Sequence, residues 1–152
     1  MKHLLFILSC TLSLGFLSCN SDSDDVADQF AKDIQLIENY LKEKNLTAEK
    51  TPQGVYYIID VPGGAEKPKI TNEIKIKYSG YFLDGEVFDS SNESQYIHLF
   101  NFIQGWQIGI PKFGIGGKGK LLIPSKLAYG SASTPGRANA VLVFDIELIN
   151  FK

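Results

Sequence analysis

Ile74-Lys-Ile-Lys-Tyr-Ser-Gly-Tyr-Phe-Leu-Asp-Gly-Glu-Val-Phe-Asp89 decides the reading of this chain. Ile74, Ile76, Tyr78, Gly80 and Phe82 alternate with Lys75, Lys77 and Ser79, the two-residue period of a half-buried strand. Asp84-Gly85 is a hairpin signal, because a tight reversal needs residues that tolerate positive φ. Val87-Phe88 then begins a returning strand. Outward from this hairpin the same chemistry repeats. Val55-Tyr-Tyr-Ile-Ile-Asp-Val61 is β-branched and aromatic and ends at Pro62-Gly-Gly64. Tyr96 to Phe100 and Lys118 to Ile123 read as further strands. A last strand sets Leu142, Phe144, Ile146 and Leu148 on one face and Asp145 and Glu147 on the other. Only Gln104 to Ile110 reads as a helix in this part, with Pro111 expected to stop it. The expected class is α+β, an antiparallel sheet with one buried short helix.

Before the sheet, Val26, Phe30, Ile34, Ile37 and Leu41 recur at three- and four-residue steps with charged residues between them, which predicts an amphipathic helix from Val26 to Lys44. Asp24 or Asp25 is the candidate cap at its start and Asn45 at its end. Its apolar face needs a partner, and packing on the main domain is favoured over pairing with another chain.

The first residues read as a targeting segment. Lys2 and His3 precede an apolar run from Leu4 to Leu17, too short to span a bilayer comfortably. Ser18 then precedes Cys19, an arrangement that resembles the lipobox of bacterial lipoproteins, with Phe16 where leucine is usual. Cys10 follows a serine too, but cleavage there would split the apolar run, so Cys19 is the expected lipidation site. A plain secretory peptide or a short buried helix is the competing reading. The chain has two cysteines; one would leave with residues 1–18 and the other would carry lipid, leaving no thiol for a disulfide. Two acyl chains suffice for stable anchoring at about 0.8 kcal/mol per buried CH₂. Asn20-Ser-Asp-Ser-Asp-Asp25 follows, either a solvated tether or an acidic address for surface export. The expected divisions are 1–18 signal, 19–25 lipidated cysteine and tether, 26–50 helix and linker, and 51–152 the β-rich domain.

Composition narrows the function. The 152 residues are 44% hydrophobic and 12% aromatic, enough for a packed core. The net charge of −2 offers no basic face, so nucleic acid is not an expected partner. Gly114-Ile-Gly-Gly-Lys-Gly119 spells a dinucleotide-binding pattern and nearly a phosphate loop. Both need a strand before and a helix after, and here the order is reversed. A hairpin-like connection is expected instead. His98, between Ile97 and Leu99, reads as an ordinary strand residue. There is no Cys–His or Ser–His arrangement and no metal-ligand cluster, so neither a metal nor a cofactor is expected.

Lys77-Tyr-Ser-Gly80, Asp84-Gly-Glu-Val-Phe-Asp-Ser-Ser91, Phe102-Ile-Gln-Gly-Trp106, Leu127-Ala-Tyr-Gly130 and Ala140-Val-Leu-Val-Phe-Asp-Ile-Glu-Leu148 occur in this order. Together they resemble the FKBP-type peptidyl-prolyl isomerases from about Gly54 to Lys152. The resemblance implies a curved five-stranded sheet wrapped round a helix, with the ligand between. It implies that Asp89, Tyr129 and Ile103 act on a prolyl amide, and that Tyr78, Phe88, Phe102, Trp106 and Phe144 form the pocket. Without it, the tyrosines read as core packing and Asp89 as a turn acid. The implied partners are proline-containing polypeptides and macrolide inhibitors, with the membrane reached through the lipid anchor. The lipobox-like leader and the acidic run, not this resemblance, imply the setting: the cell envelope, as an outer-membrane lipoprotein, periplasmic or surface-exposed.

The chain departs from the family at Ser131-Ala-Ser-Thr-Pro-Gly-Arg-Ala-Asn139, where an apolar flank of the pocket is expected to be lost or replaced. The segment from Tyr96 to Phe102 is short, and Leu127 stands where some members have Tyr. The alternative function is a chaperone or surface-complex binding module on the same fold.

Overall fold

The computed structural model describes residues 21–92 and 95–152, with side chains described from Asp25 onward; the apolar leader and Cys19 lie outside them. Helix α1 (Ser21–Glu43) is followed by β1 (Glu49–Lys50), β2 (Tyr56–Val61), β3 (Glu73–Phe82), β4 (Val87–Ser91) and β5 (Ile97–His98). Helix α2 (Gln104–Gly109), β6 (Lys118–Ile123) and β7 (Leu142–Phe151) complete the chain. The sheet is antiparallel throughout, in the order β1-β2-β6-β7-β3-β4, with β5 lying beyond β4 along the same edge of β3. Among the described residues it has seven strands, but β1 and β5 are two residues each, which leaves the five longer strands that were expected.

Alternation along each strand sends side chains to two faces with different cover. Toward α2 point Ile74, Ile76, Leu121, Ile123, Leu142, Phe144, Ile146 and Leu148, which close a core with Trp106, Ile110 and Phe113. The opposite face carries Tyr56, Leu122, Val141 and Val143, and α1 lies on it through Ile37 and Leu41. Neither Ile37 nor Val143 is solvent-exposed. The helix therefore packs in cis, because one strand face of the sheet would otherwise leave a stripe of valine, leucine and tyrosine in water.

Several boundaries differ from the sequence reading. Helix α1 starts at Ser21, not Val26, so Asp24 and Asp25 lie inside its first turns instead of capping it. At the other end Asn45 has φ 54° and the Leu46 N–H returns to the Leu41 carbonyl at 2.8 Å, the left-handed ending expected of an asparagine. Tyr96 to Phe100 is not a full strand. After β5 the chain tightens into a 3-10 turn, Leu99–Asn101, since β3 offers only Glu73 and Ile74 as pairing partners there. Leu99 turns inward, fully buried, while Phe100 remains 54% exposed. Pro111 does not end α2. That helix stops at Gly109, and Pro111 sits in a following 3-10 turn, Ile110–Lys112, whose first positions need no N–H. The hairpin at Asp84-Gly85 forms as read, with Gly85 at φ 92°. The Gly114–Gly119 run leads from the 3-10 turn into β6, with no helix after it to meet a phosphate.

Candidate functional site

The open mouth of the core lies between α2 and the strands β3, β4 and β7. Here a cavity of 270 Å³ is lined by Tyr78, Phe88, Asp89, Asn101, Phe102, Ile103, Trp106, Tyr129 and Phe144. All eight pocket residues singled out in the sequence converge on it, from five separate segments. Trp106 is 2% exposed and lies at the base. It stacks on Phe102 at 4.7 Å between ring centroids and takes edge-to-face contacts from Tyr78 at 5.1 Å and Phe144 at 5.2 Å. Phe88 meets Phe144 edge-to-face at 5.6 Å. Interlocked rings of this kind hold one another in place, so the cavity is preformed.

A bulge puts two consecutive residues of β4 on the cavity. Gly80 pairs with Asp89 but Tyr81 pairs with Val87, leaving Phe88 as the extra residue. Neighbours on a regular strand point to opposite faces; the bulge re-aims them so that both Phe88 and Asp89 line the site. Gly80 is required opposite. A Cβ there would come within 2.7 Å of both the Phe144 and Phe88 rings.

Asp89 is the cavity's one carboxylate, and the Tyr78 hydroxyl donates to its Oδ2 at 2.7 Å. Burial, then the bond to Asp89, pushes the Tyr78 phenol up to about 12. Tyr129 is raised as well, by burial and by the charge of Asp89. Both phenols therefore keep their protons at neutral pH and remain donors. Ile103 caps α2, with its carbonyl accepting from the N–H of Trp106 and Gln107. Its own N–H has no acceptor among the described residues and is available to a bound carbonyl. The indole Nε1 of Trp106 is buried and likewise without a partner among them.

The raised phenols make a prediction about alkaline stability. The folded pKa of Tyr78 exceeds the ordinary value near 10, so its contribution is complete below about pH 10. It is lost as pH rises from there through about 12. Tyr81, raised chiefly by burial and by Asp145, acts in the same direction. Thermal melts across this range should show a steeper fall for the wild type than for Tyr78→Phe. Parallel falls would contradict the assignment.

Three features carried no readable signal in the sequence. Gln107 donates through Nε2 to the carbonyls of Phe100 and Phe102, at 3.0 and 2.7 Å, and so pins the segment beside the pocket. Asn101 joins the lining. In the divergent loop, Arg137 donates to Asp84 at 2.6 Å and also to Glu86, and its guanidinium sits 4.1 Å from the Phe82 ring centroid. Asp84 is held below the usual carboxylate range by this arginine. The loop thus folds against the β3–β4 hairpin, and no residue from Ser131 to Asn139 lines the cavity. His98 faces outward, stacked on Phe100 with Nε2 3.3 Å from Glu73, and has no place in the site. Among the described residues no cluster of His, Cys, Asp or Glu is arranged to hold a metal.

The family model for FKBP-type peptidyl-prolyl cis-trans isomerases matches residues 64–149, which include every residue named in the cavity. The chain belongs to this family. FkpA of Escherichia coli K12, an FKBP-type peptidyl-prolyl cis-trans isomerase, is 39% identical over 132 residues, covering 84% of this chain and 48% of that protein. FK506-binding protein 1 of Saccharomyces cerevisiae is 42% identical over 96 residues, 58% of this chain and 84% of the yeast protein. The crystal structure of E. coli FkpA superposes with a TM-score of 0.71 at 36% identity, covering 86% of this chain and 62% of that one. A peptidyl-prolyl isomerase structure from Pseudomonas syringae gives the same score at 26% identity, covering 84% and 96%. The chain spans about half the length of the FkpA proteins it matches. Family membership and fold are common ground between them.

Proposed function

We propose that this FKBP-family chain catalyses cis–trans rotation of prolyl peptide bonds in exported polypeptides. The observation that carries the reading is the preformed aromatic cavity with a single carboxylate bonded to Tyr78. The cavity lining includes no second carboxylate and no Cys–His or Ser–His pair beside Asp89. Rotation breaks no covalent bond. Its barrier, about 18–20 kcal/mol, is the resonance of the planar amide, and without a catalyst X–Pro exchange takes tens to hundreds of seconds.

The planar amide is the more polar form and loses more on leaving water for an aromatic cavity than the twisted amide does. The cavity therefore binds the twisted form better, and that difference lowers the barrier. In this reading the prolyl ring rests on Trp106, between Tyr78, Phe88, Phe102 and Phe144. The Ile103 N–H and the Tyr129 hydroxyl hold the flanking carbonyls. Asp89, kept in place by Tyr78, supplies a fixed negative field beside the rotating carbonyl carbon.

Two measurements on the chain lacking residues 1–19 test this. A protease-coupled assay should show faster isomerisation of a prolyl peptide than buffer alone. A macrolide of the kind that fills FKBP pockets should change the fluorescence of Trp106, the sole tryptophan. Activity with binding supports the enzyme. Binding without activity hands the pocket to the chaperone or binding-module reading, and neither result overturns both.

The setting follows from the leader. Cys19, preceded by Ser18 after an apolar run, is proposed to carry the acyl chains that anchor the protein to the cell envelope, with Asn20 to Asp25 as tether or address. No helix among the described residues is long and apolar enough to cross a membrane. In a bacterial host, the wild type should fractionate with membranes and bear acyl chains, and Cys19→Ala should be soluble or unprocessed. An unacylated, soluble wild type would refute the anchor.

A further inference from the structure

One buried carboxylate connects the N-terminal helix to the cavity. Asp33 of α1 has no exposed surface. Its Oδ2 accepts from the Ser125 backbone N–H at 2.8 Å and from the Ser125 hydroxyl at 2.6 Å. Its Oδ1 accepts from Gln29 Nε2 at 2.7 Å. An ionised carboxylate is expensive to bury unless its lone pairs are used, and here both oxygens are bonded. Docking the helix does not itself call for a charge, since Ile37 and Leu41 already seat it on the sheet.

What the Asp33 carboxyl group holds is the residue from which the Tyr129 segment hangs. Ser125, 2% exposed, opens the 3-10 turn Ser125–Leu127. Its carbonyl accepts from the N–H of Ala128 at 2.9 Å and of Gly130 at 2.8 Å, the two neighbours of Tyr129. Beside it the Lys126 ammonium lies 5.7 Å from the centroid of Phe30 on the same helix, a second brace. Tyr129 itself is 41% exposed, so its own packing fixes it loosely, and its hydroxyl depends on where this backbone is held.

We infer that Asp33 is a positioning residue for Tyr129, acting through Ser125, which makes α1 a working part of the active site. The effect on rate rests on the isomerase reading above; the mechanical link does not.

The test is a double-mutant cycle combined with local hydrogen exchange on the full chain. Asp33→Asn keeps the shape of the side chain and removes the charge, and Ser125→Ala removes the hydroxyl bond alone. Asp33→Asn should lower kcat/KM on the order of tenfold, and the same change in a Tyr129→Phe background should lower it far less, because coupled residues are not additive. Strictly additive losses would overturn the inference. Exchange of the Ala128 and Gly130 amides should quicken in Asp33→Asn and, more weakly, in Ser125→Ala, while β6 and β7 amides hold. Unchanged protection at both amides overturns the link whatever the assay gives, and an even loosening of the whole sheet reduces Asp33 to a purely structural residue. A wild type inactive on prolyl peptides would sink the proposed function and leave the exchange experiment to decide the link.

Discussion

Phe144→Ala is expected to cost about 3–5 kcal/mol of stability and to abolish ligand binding at the same time. Phe144 is 4% exposed and sits where core and cavity share a wall. Its ring contacts Trp106, Tyr78 and Phe88, at centroid distances of 5.2, 6.3 and 5.6 Å. It also fills the space that Gly80 leaves open. Removing it takes one side from three aromatic contacts and opens a void that the β3 and β7 backbones, paired without a break from Ile76–Leu148 to Phe82–Leu142, cannot close. The thermal midpoint should fall by roughly 10 °C or more. Melts followed by circular dichroism, with macrolide titration of the folded fraction, measure both effects. A variant that melts like the wild type would mean that Phe144 does not bear on the core.

The second large effect should separate chemistry from folding. Asp89→Leu and Tyr129→Phe are expected to slow isomerisation by about one to two decades while the fold survives, the worth of a positioned hydrogen bond or field of roughly 1–3 kcal/mol. Neither side chain is buried in the core, so little packing is lost. Asp89→Leu also strips Tyr78 of its acceptor. Comparison with Tyr78→Phe distinguishes the field of the carboxylate from the fixing of the phenol. If Asp89→Leu is slow and Tyr78→Phe is fast, the carboxylate acts on the substrate directly. Unchanged rates in both Asp89→Leu and Tyr129→Phe would leave the aromatic walls as the whole catalyst.

These outcomes bear differently on stability because the site combines two kinds of residue. Trp106, Phe144 and Phe88 serve packing and pocket alike, whereas Asp89 and Tyr129 contribute little to the core. That division explains how much of the site could be read in advance. Aromatic residues at strand period announce a packed face, and their order along the chain matched a family pattern closely enough to name the pocket. Asp89 and Tyr129 had no physical signal of their own; the resemblance alone singled them out.

The sequence by itself determined the five longer strands, the Asp84-Gly85 hairpin, the apolar stripe of α1 and the asparagine that ends it. Periodicity, turn chemistry and capping act over a few residues, and each is written in local spacing. Tertiary structure decided the rest. It tightened Tyr96 to Phe100 into a turn because β3 had only two residues left to pair. It set Phe88 and Asp89 on one cavity through a bulge that no pattern of apolar and polar residues reveals. It folded Arg137 onto Asp84 and Glu86 and brought Asp33 to Ser125, ninety-two positions further along the chain. Contacts of that span depend on how two sheet faces are covered, and only the packed molecule settles that: a carboxylate on a helix face reads as solvated until another segment closes over it.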